Sequence, residues 1–168
     1  MLVSLSCNSE KKETPTAVEE TPKVEEVKKE LNIEIKFKTD TETDFKWIVS
    51  DIVKDEFQKK TVIISETMSP TPNLETFNAN FGENIMSNNI RFDLGSKELK
   101  EVEIGEININ YGKNSLNIPV SELKTYFVIN KFIAFDEATF KLKTQRVDGK
   151  HFPSIFLKRS AINTLTKE

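Results

Sequence analysis

The sequence predicts a mainly β protein, an antiparallel β-sandwich with one or two short helices, preceded by a disordered N-terminal tail. Three observations carry that expectation. Past residue 30, apolar side chains recur at every second position, the spacing of strands with one buried and one wet face. No long segment shows 3.6-residue amphipathy, and strands do not alternate with helices, so a parallel α/β sheet is disfavoured. The composition also breaks near residue 30. Residues 8–30 hold no aromatic, no Leu and no Ile, whereas the rest is rich in Ile, Phe, Leu and Val.

The chain divides at that break. "NSEKKETPTAVEETPKVEEVKKE" (8–30) carries seven acids and five bases, and it cannot bury enough apolar area to offset the entropy of ordering it. It reads as a linker, about 25–30 Å long on average as a flexible coil. Its last part, 24–31, could form a short helix through the i,i+4 pair Glu25–Lys29. The domain spans 31–168.

Its first strand is "LNIEIKFKT", with Leu31, Ile33, Ile35 and Phe37 on one face and Asn32, Glu34, Lys36 and Lys38 on the other. "FKWIV" aligns Phe45, Trp47 and Val49, which gives the only tryptophan a core role. The polar stretch 67–89 holds one irregular strand near "ETFNANF". "NIRFDLG" turns Ile90, Phe92 and Leu94 inward and Arg91 and Asp93 outward. In "VEIGEININYG" the apolar parity slips between Ile104 and Ile107, so an extra residue at Gly105 is read as a β-bulge or bend. "YGKNS" reads as a hairpin turn, returning Leu116 and Ile118 against Ile109 and Ile107. "ATFKLKT" sets Phe140 and Leu142 against Lys141 and Lys143. Short helices are expected in "SELKTYF", capped by Ser121, and "SKELKEV", capped by Ser96.

Several function classes drop out. With a net charge of −3 and bases interleaved with acids, no phosphate-tracking stripe forms, so nucleic acid is not expected. No apolar run approaches the roughly 18 residues of a membrane span. One cysteine and one histidine make neither an internal disulfide nor a structural zinc site. No G-x-S-x-G, Walker-type or H-E-x-x-H motif occurs, and His151, beside the turn signal Asp148-Gly149, reads as a loop residue; an enzyme is not expected. No cofactor is expected beyond one candidate: Asp40, Glu42 and Asp44 in "DTETD" would share a side of an extended segment and could cage Ca²⁺, though a polar loop explains them equally. For ligand binding the candidates are Tyr111 and Tyr126 as semi-exposed rings, Asn78 and Asn80 in a hydrogen-bond-rich loop, and Arg91 with Asp93 on one strand face.

Two resemblances add a setting. Cys7, behind Leu5 and Ser6 and ahead of the charged spacer, resembles the acylated cysteine of a bacterial lipoprotein signal, with Ser4 where the lipobox usually has Leu. The cluster Glu10-Lys11-Lys12-Glu13 is similar to surface-export tracts of Bacteroidota lipoproteins. That resemblance implies an envelope protein held at the outer membrane or facing the periplasm by a lipid on Cys7, with its start codon further upstream. If Met1 is the true start, the chain is cytoplasmic and Cys7 an exposed thiol. The segment 90–118, with "IRFDLG" and its V-x-I-x-x-I-x-I strand, resembles bacterial jelly-roll domains of the galactose-binding-like type. It implies a glycan-binding sandwich with Arg91 and Asp93 at the polar positions. The alternative is a structural or assembly lipoprotein that recognises an envelope protein.

Overall fold

The structure, a computed structural model, describes residues 28–167. Cys7 and the linker up to residue 27 lie outside the described residues. Eleven strands and two short helices follow one another: β1 (Glu30–Thr39), β2 (Thr43–Val53), β3 (Lys59–Met68), β4 (Glu75–Glu83), β5 (Asn89–Asp93), β6 (Glu101–Tyr111), β7 (Asn114–Pro119), α1 (Leu123–Tyr126), β8 (Phe127–Ile129), β9 (Ile133–Asp136), β10 (Lys141–Thr144), β11 (Ser154–Leu157) and α2 (Arg159–Leu165). The strands form two antiparallel sheets. One runs β4-β1-β6-β10-β9, with β7 also paired to β6; the other runs β3-β2-β5-β11-β8. The expected β-sandwich is observed.

What joins the sheets is a cluster of aromatic rings. Phe37 of the first sheet meets Phe45 of the second edge-on at 4.6 Å, and Phe92 at 5.7 Å. Phe92 also stacks on Phe45 at 5.7 Å, lies 4.7 Å from Trp47 and 6.3 Å from Phe77 of the first sheet. Trp47 reaches Phe127 at 6.4 Å, and all six side chains are buried. Burial of each contributes about 1.5–3 kcal/mol, and each ring pair about 0.5–1.5 kcal/mol more.

The alternation holds element by element. Leu31, Ile33, Ile35 and Phe37 are buried while their neighbours face out. Along β1 and β6 the register jumps between Lys36↔Glu106 and Phe37↔Ile104, leaving Gly105 as the extra residue of the expected bulge. A Cβ there would lie 2.8 Å from Leu74 Cδ1, so glycine also makes room for that side chain. A second bulge, on β2, was not expected: Val49 opposes Val62 and Ile52 opposes Lys60, with Asp51 at φ 57°. The β6–β7 turn forms with Gly112 at φ 57°, pairing Ile107 with Ile118 and Ile109 with Leu116.

Several local expectations are corrected. The "SKELKEV" helix is absent, because Lys100 turns inward instead of completing a solvated helix. The "SELKTYF" helix exists, entered through a 3₁₀ turn at Val120–Glu122, but neither that turn nor α1 has a side-chain cap and Ser121 lies inside the turn. Phe140 does not continue β10; it sits in the preceding turn at φ 56° and leans on Phe135. The helix suggested over 24–31 is not formed in its described part, since Lys28 and Lys29 are irregular and Glu30 opens β1. "ETFNANF" forms the edge strand β4, and the expected irregularity falls at its end, where the register with β1 shifts between Asn32↔Asn80 and Glu30↔Glu83.

Phe92 touches rings from both sheets, so Phe92→Ala should cost about 3–5 kcal/mol. Urea denaturation should show that loss as a lower midpoint at unchanged slope.

Candidate functional site

At one end of the second sheet, three segments converge on a small cleft. The start of β2 supplies Thr43, Asp44 and Lys46; the end of β5 and the following loop supply Asp93, Gly95, Ser96 and Lys97; the approach to β11 supplies Phe152, Pro153 and Ser154. Its volume is about 160 Å³, below the roughly 300–1,000 Å³ of drug-sized pockets. It has room for one ring-sized polar group, not for a long ligand.

The cleft is pre-organised. The Asp93 carboxylate accepts a hydrogen bond from Arg91 Nε at 3.0 Å and, on the same oxygen, one from Ser154 Oγ at 2.7 Å. Its other oxygen carries no side-chain bond among the described residues. Phe152 is 59 % exposed. Its ring stands edge-on to Phe132 at 5.9 Å, and its carbonyl accepts from Asn130 Nδ2 at 2.7 Å. On the rim, a hydrogen bond from the Thr67 hydroxyl at 2.6 Å holds the Asp44 carboxyl below the usual range.

Beneath the cleft, buried polar side chains take three successive carbonyls. Lys100, 3 % exposed, donates from Nζ to Leu94 O at 3.0 Å, Gly95 O at 3.1 Å and Thr43 Oγ1 at 3.2 Å. His151, also buried, lies with Nδ1 2.9 Å from Ser96 O. A carbonyl only accepts, so Nδ1 carries the proton; Nε2 is buried with no partner among the described residues. His151 therefore positions a loop, consistent with the loop residue expected, and no acid–base pair involves it among these contacts. Gly95 completes the floor at φ 75°, where a Cβ would sit 2.4 Å from Thr43 Oγ1.

The remaining predicted residues lie elsewhere. Asn78 and Asn80 are on β4, a strand and not a loop, on the outer face of the first sheet. They belong to polar rows that register places across neighbouring strands: Asn80–Asn32–Asn110–Ser115 and Asn78–Glu34–Asn108–Asn117. In the next row Glu106 accepts from Lys36 and Asn117, which lowers its carboxyl pKa. Tyr111 and Tyr126 are half-buried and pack against the core, away from the cleft lining. Asp40, Glu42 and Asp44 do not converge: they accept from Glu101 N, Ser69 Oγ and Thr67 Oγ1 respectively. Among the described residues no group of three or more His, Cys, Asp or Glu is placed to hold a metal ion, and no helix is long and apolar enough to cross a membrane.

Thus Asp93 and Asp44 line the cleft and Arg91 joins it through its bond to Asp93, whereas the other candidates are scattered. Phe152, Ser154, Lys46 and Lys97 were missed as site residues. The only local signal was an aromatic beside a turn, in "DGKHFPS". Comparison of the chain with protein-family models, with curated proteins and with solved structures finds no match.

Burial lowers the Lys100 pKa from its ordinary 10.5. A lysine whose folded pKa is depressed destabilises the fold most when fully protonated in both states. Stability relative to Lys100→Met should therefore rise as pH climbs through that lowered pKa, levelling off near the unfolded value of about 10.4. Denaturation midpoints of both proteins between pH 7 and 11 would reveal it; parallel curves would exclude it.

Proposed function

We propose that the domain is a non-catalytic binding module that takes one sugar unit of an envelope glycan in the cleft, and that acylation of Cys7 tethers it to a bacterial membrane. The observation that carries the ligand reading is the exposed Phe152 ring beside a carboxylate already oriented by Arg91 and Ser154. A pyranose offers a C–H face to such a ring and vicinal hydroxyls to Asp93, Ser96 and Lys46. A charge-assisted hydrogen bond is worth about 1.5–3 kcal/mol, so one unit binds weakly, and dense display on a membrane would raise the avidity. For the anchor, support comes from the single cysteine behind Leu5-Ser6 and the charged spacer that follows it. Two or three acyl chains suffice for stable attachment.

A second reading, an assembly lipoprotein that binds an envelope protein, draws on the outer face of the second sheet. There Ile63, Ile48, Arg91, Phe156 and Val128 oppose one another in register across all five strands. Ile63 and Val128 are 55 % and 52 % exposed.

On a glycan array, the full chain should bind a discrete set of glycans. Phe152→Ala and Asp93→Ala should each weaken that binding about tenfold or more, while Asn78→Ala on the opposite face leaves it intact. No glycan signal, or a loss with Asn78→Ala alone, would overturn the cleft reading. Expressed from its native locus, the protein should incorporate labelled fatty acid and sediment with membranes, and Cys7→Ser should abolish both.

A further inference from the structure

Among the described residues the longest strands at sheet edges are β3 and β4; β7, paired to β6 alone, has six residues, and the opposite edges, β8 and β9, have three and four. A long unpaired edge is a template for another strand. The two long edges differ in what they would place opposite a copy of themselves.

In β3, "KKTVIISETM", the residues on either side of Ile63 complement one another. Antiparallel pairing about a two-fold axis through Ile63 sets Val62 against Ile64, Thr61 against Ser65 and Lys60 against Glu66, each pair occurring twice. Ile63 faces its own copy. These three pairs match in size or charge, the outer pair Lys59–Thr67 does not, and every pair shares a sheet face because the register sum is even. Ile63 is 55 % exposed, Lys60 and Glu66 are exposed, and neither charge has an ion-pair partner among the described residues. β4, "ETFNANFGE", gives the opposite result: pairing about its centre, Ala79, sets Glu75 against Glu83.

We propose that two copies of this chain associate through β3, edge to edge and antiparallel, joining their five-stranded sheets into one of ten strands. The interface is isologous, as closed two-fold dimers require. It buries both Ile63 side chains and joins the two apolar rows end to end. Lys59 and Lys60, the type of charge that usually protects an edge, here meet Thr67 and Glu66 of the other copy.

Sedimentation velocity of the full chain from cytosolic expression should show a dimer. Opposite charges facing across strands attract and like charges repel, so Lys60→Glu or Glu66→Lys alone should weaken the dimer about tenfold or more. The double variant Lys60→Glu/Glu66→Lys should restore it. Both positions are exposed, and an unchanged melting temperature would certify the fold. Opposed Cα atoms in an antiparallel pair lie about 4.5–5.5 Å apart, within disulfide reach. In a Cys7→Ser background, Ile63→Cys should therefore cross-link two chains on oxidation. A monomer at concentrations up to about 1 mM, or a dimer indifferent to charge reversal, would overturn the proposal and leave the edge to a different strand.

Discussion

The contact of Phe92 with rings from both sheets constrains everything else in the molecule. It sets which face of β1, β2, β4 and β5 is inward, and a one-residue slip anywhere would turn a whole strand inside out. The bulges at Gly105 and Asp51 have meaning only against that constraint. Each absorbs an extra residue, so apolar side chains on both sides of it still reach the same core. Gly105 also admits Leu74, linking the bulge to the approach of β4.

Once the inward faces are set, the outward ones are set too, and the two sheets present different chemistry. The first shows amide rows that grade into ion pairs at Lys36–Glu106 and Lys38–Glu103. The second shows an apolar row interrupted by Arg91. The cleft sits where that face meets the loops. Its shape depends on Lys100 and His151 holding the carbonyls of residues 94–96 from below. A buried ammonium with no ion-pair contact among the described residues is costly, and three oxygen acceptors, with Glu98 and Asp40 acting from further off, are what make it tolerable here.

Strands with clean alternation were legible in the sequence because period two needs no partner to be seen: β1, β5 and β6 stood out, and so did the bulge at Gly105. β3 was not, since Val62-Ile63-Ile64 runs apolar without alternating and its edge position leaves both faces partly wet. α2 was missed because only Ala161, Ile162 and Leu165 bury, too few positions in seven residues to reveal a period. The expected Ser96 helix failed for a tertiary reason, the inward turn of Lys100, which no local propensity encodes. For the site, Arg91 and Asp93 were visible as outward residues of one strand. Their partners Ser154 and Phe152 are some 60 residues downstream and arrive only through the β5–β11 register.

The position of Trp47 has an optical consequence. It is the sole tryptophan, fully buried against Phe92 and Phe127, and its indole N–H has no hydrogen-bond partner among the described residues. An indole so shielded from dipolar relaxation emits at the short-wavelength end of its range. Because it stands at the junction of the two layers, separation of those layers would admit water and redden the emission. The protein thus carries a single built-in chromophore that reports on the integrity of its own interior, free of overlapping signals from other indoles.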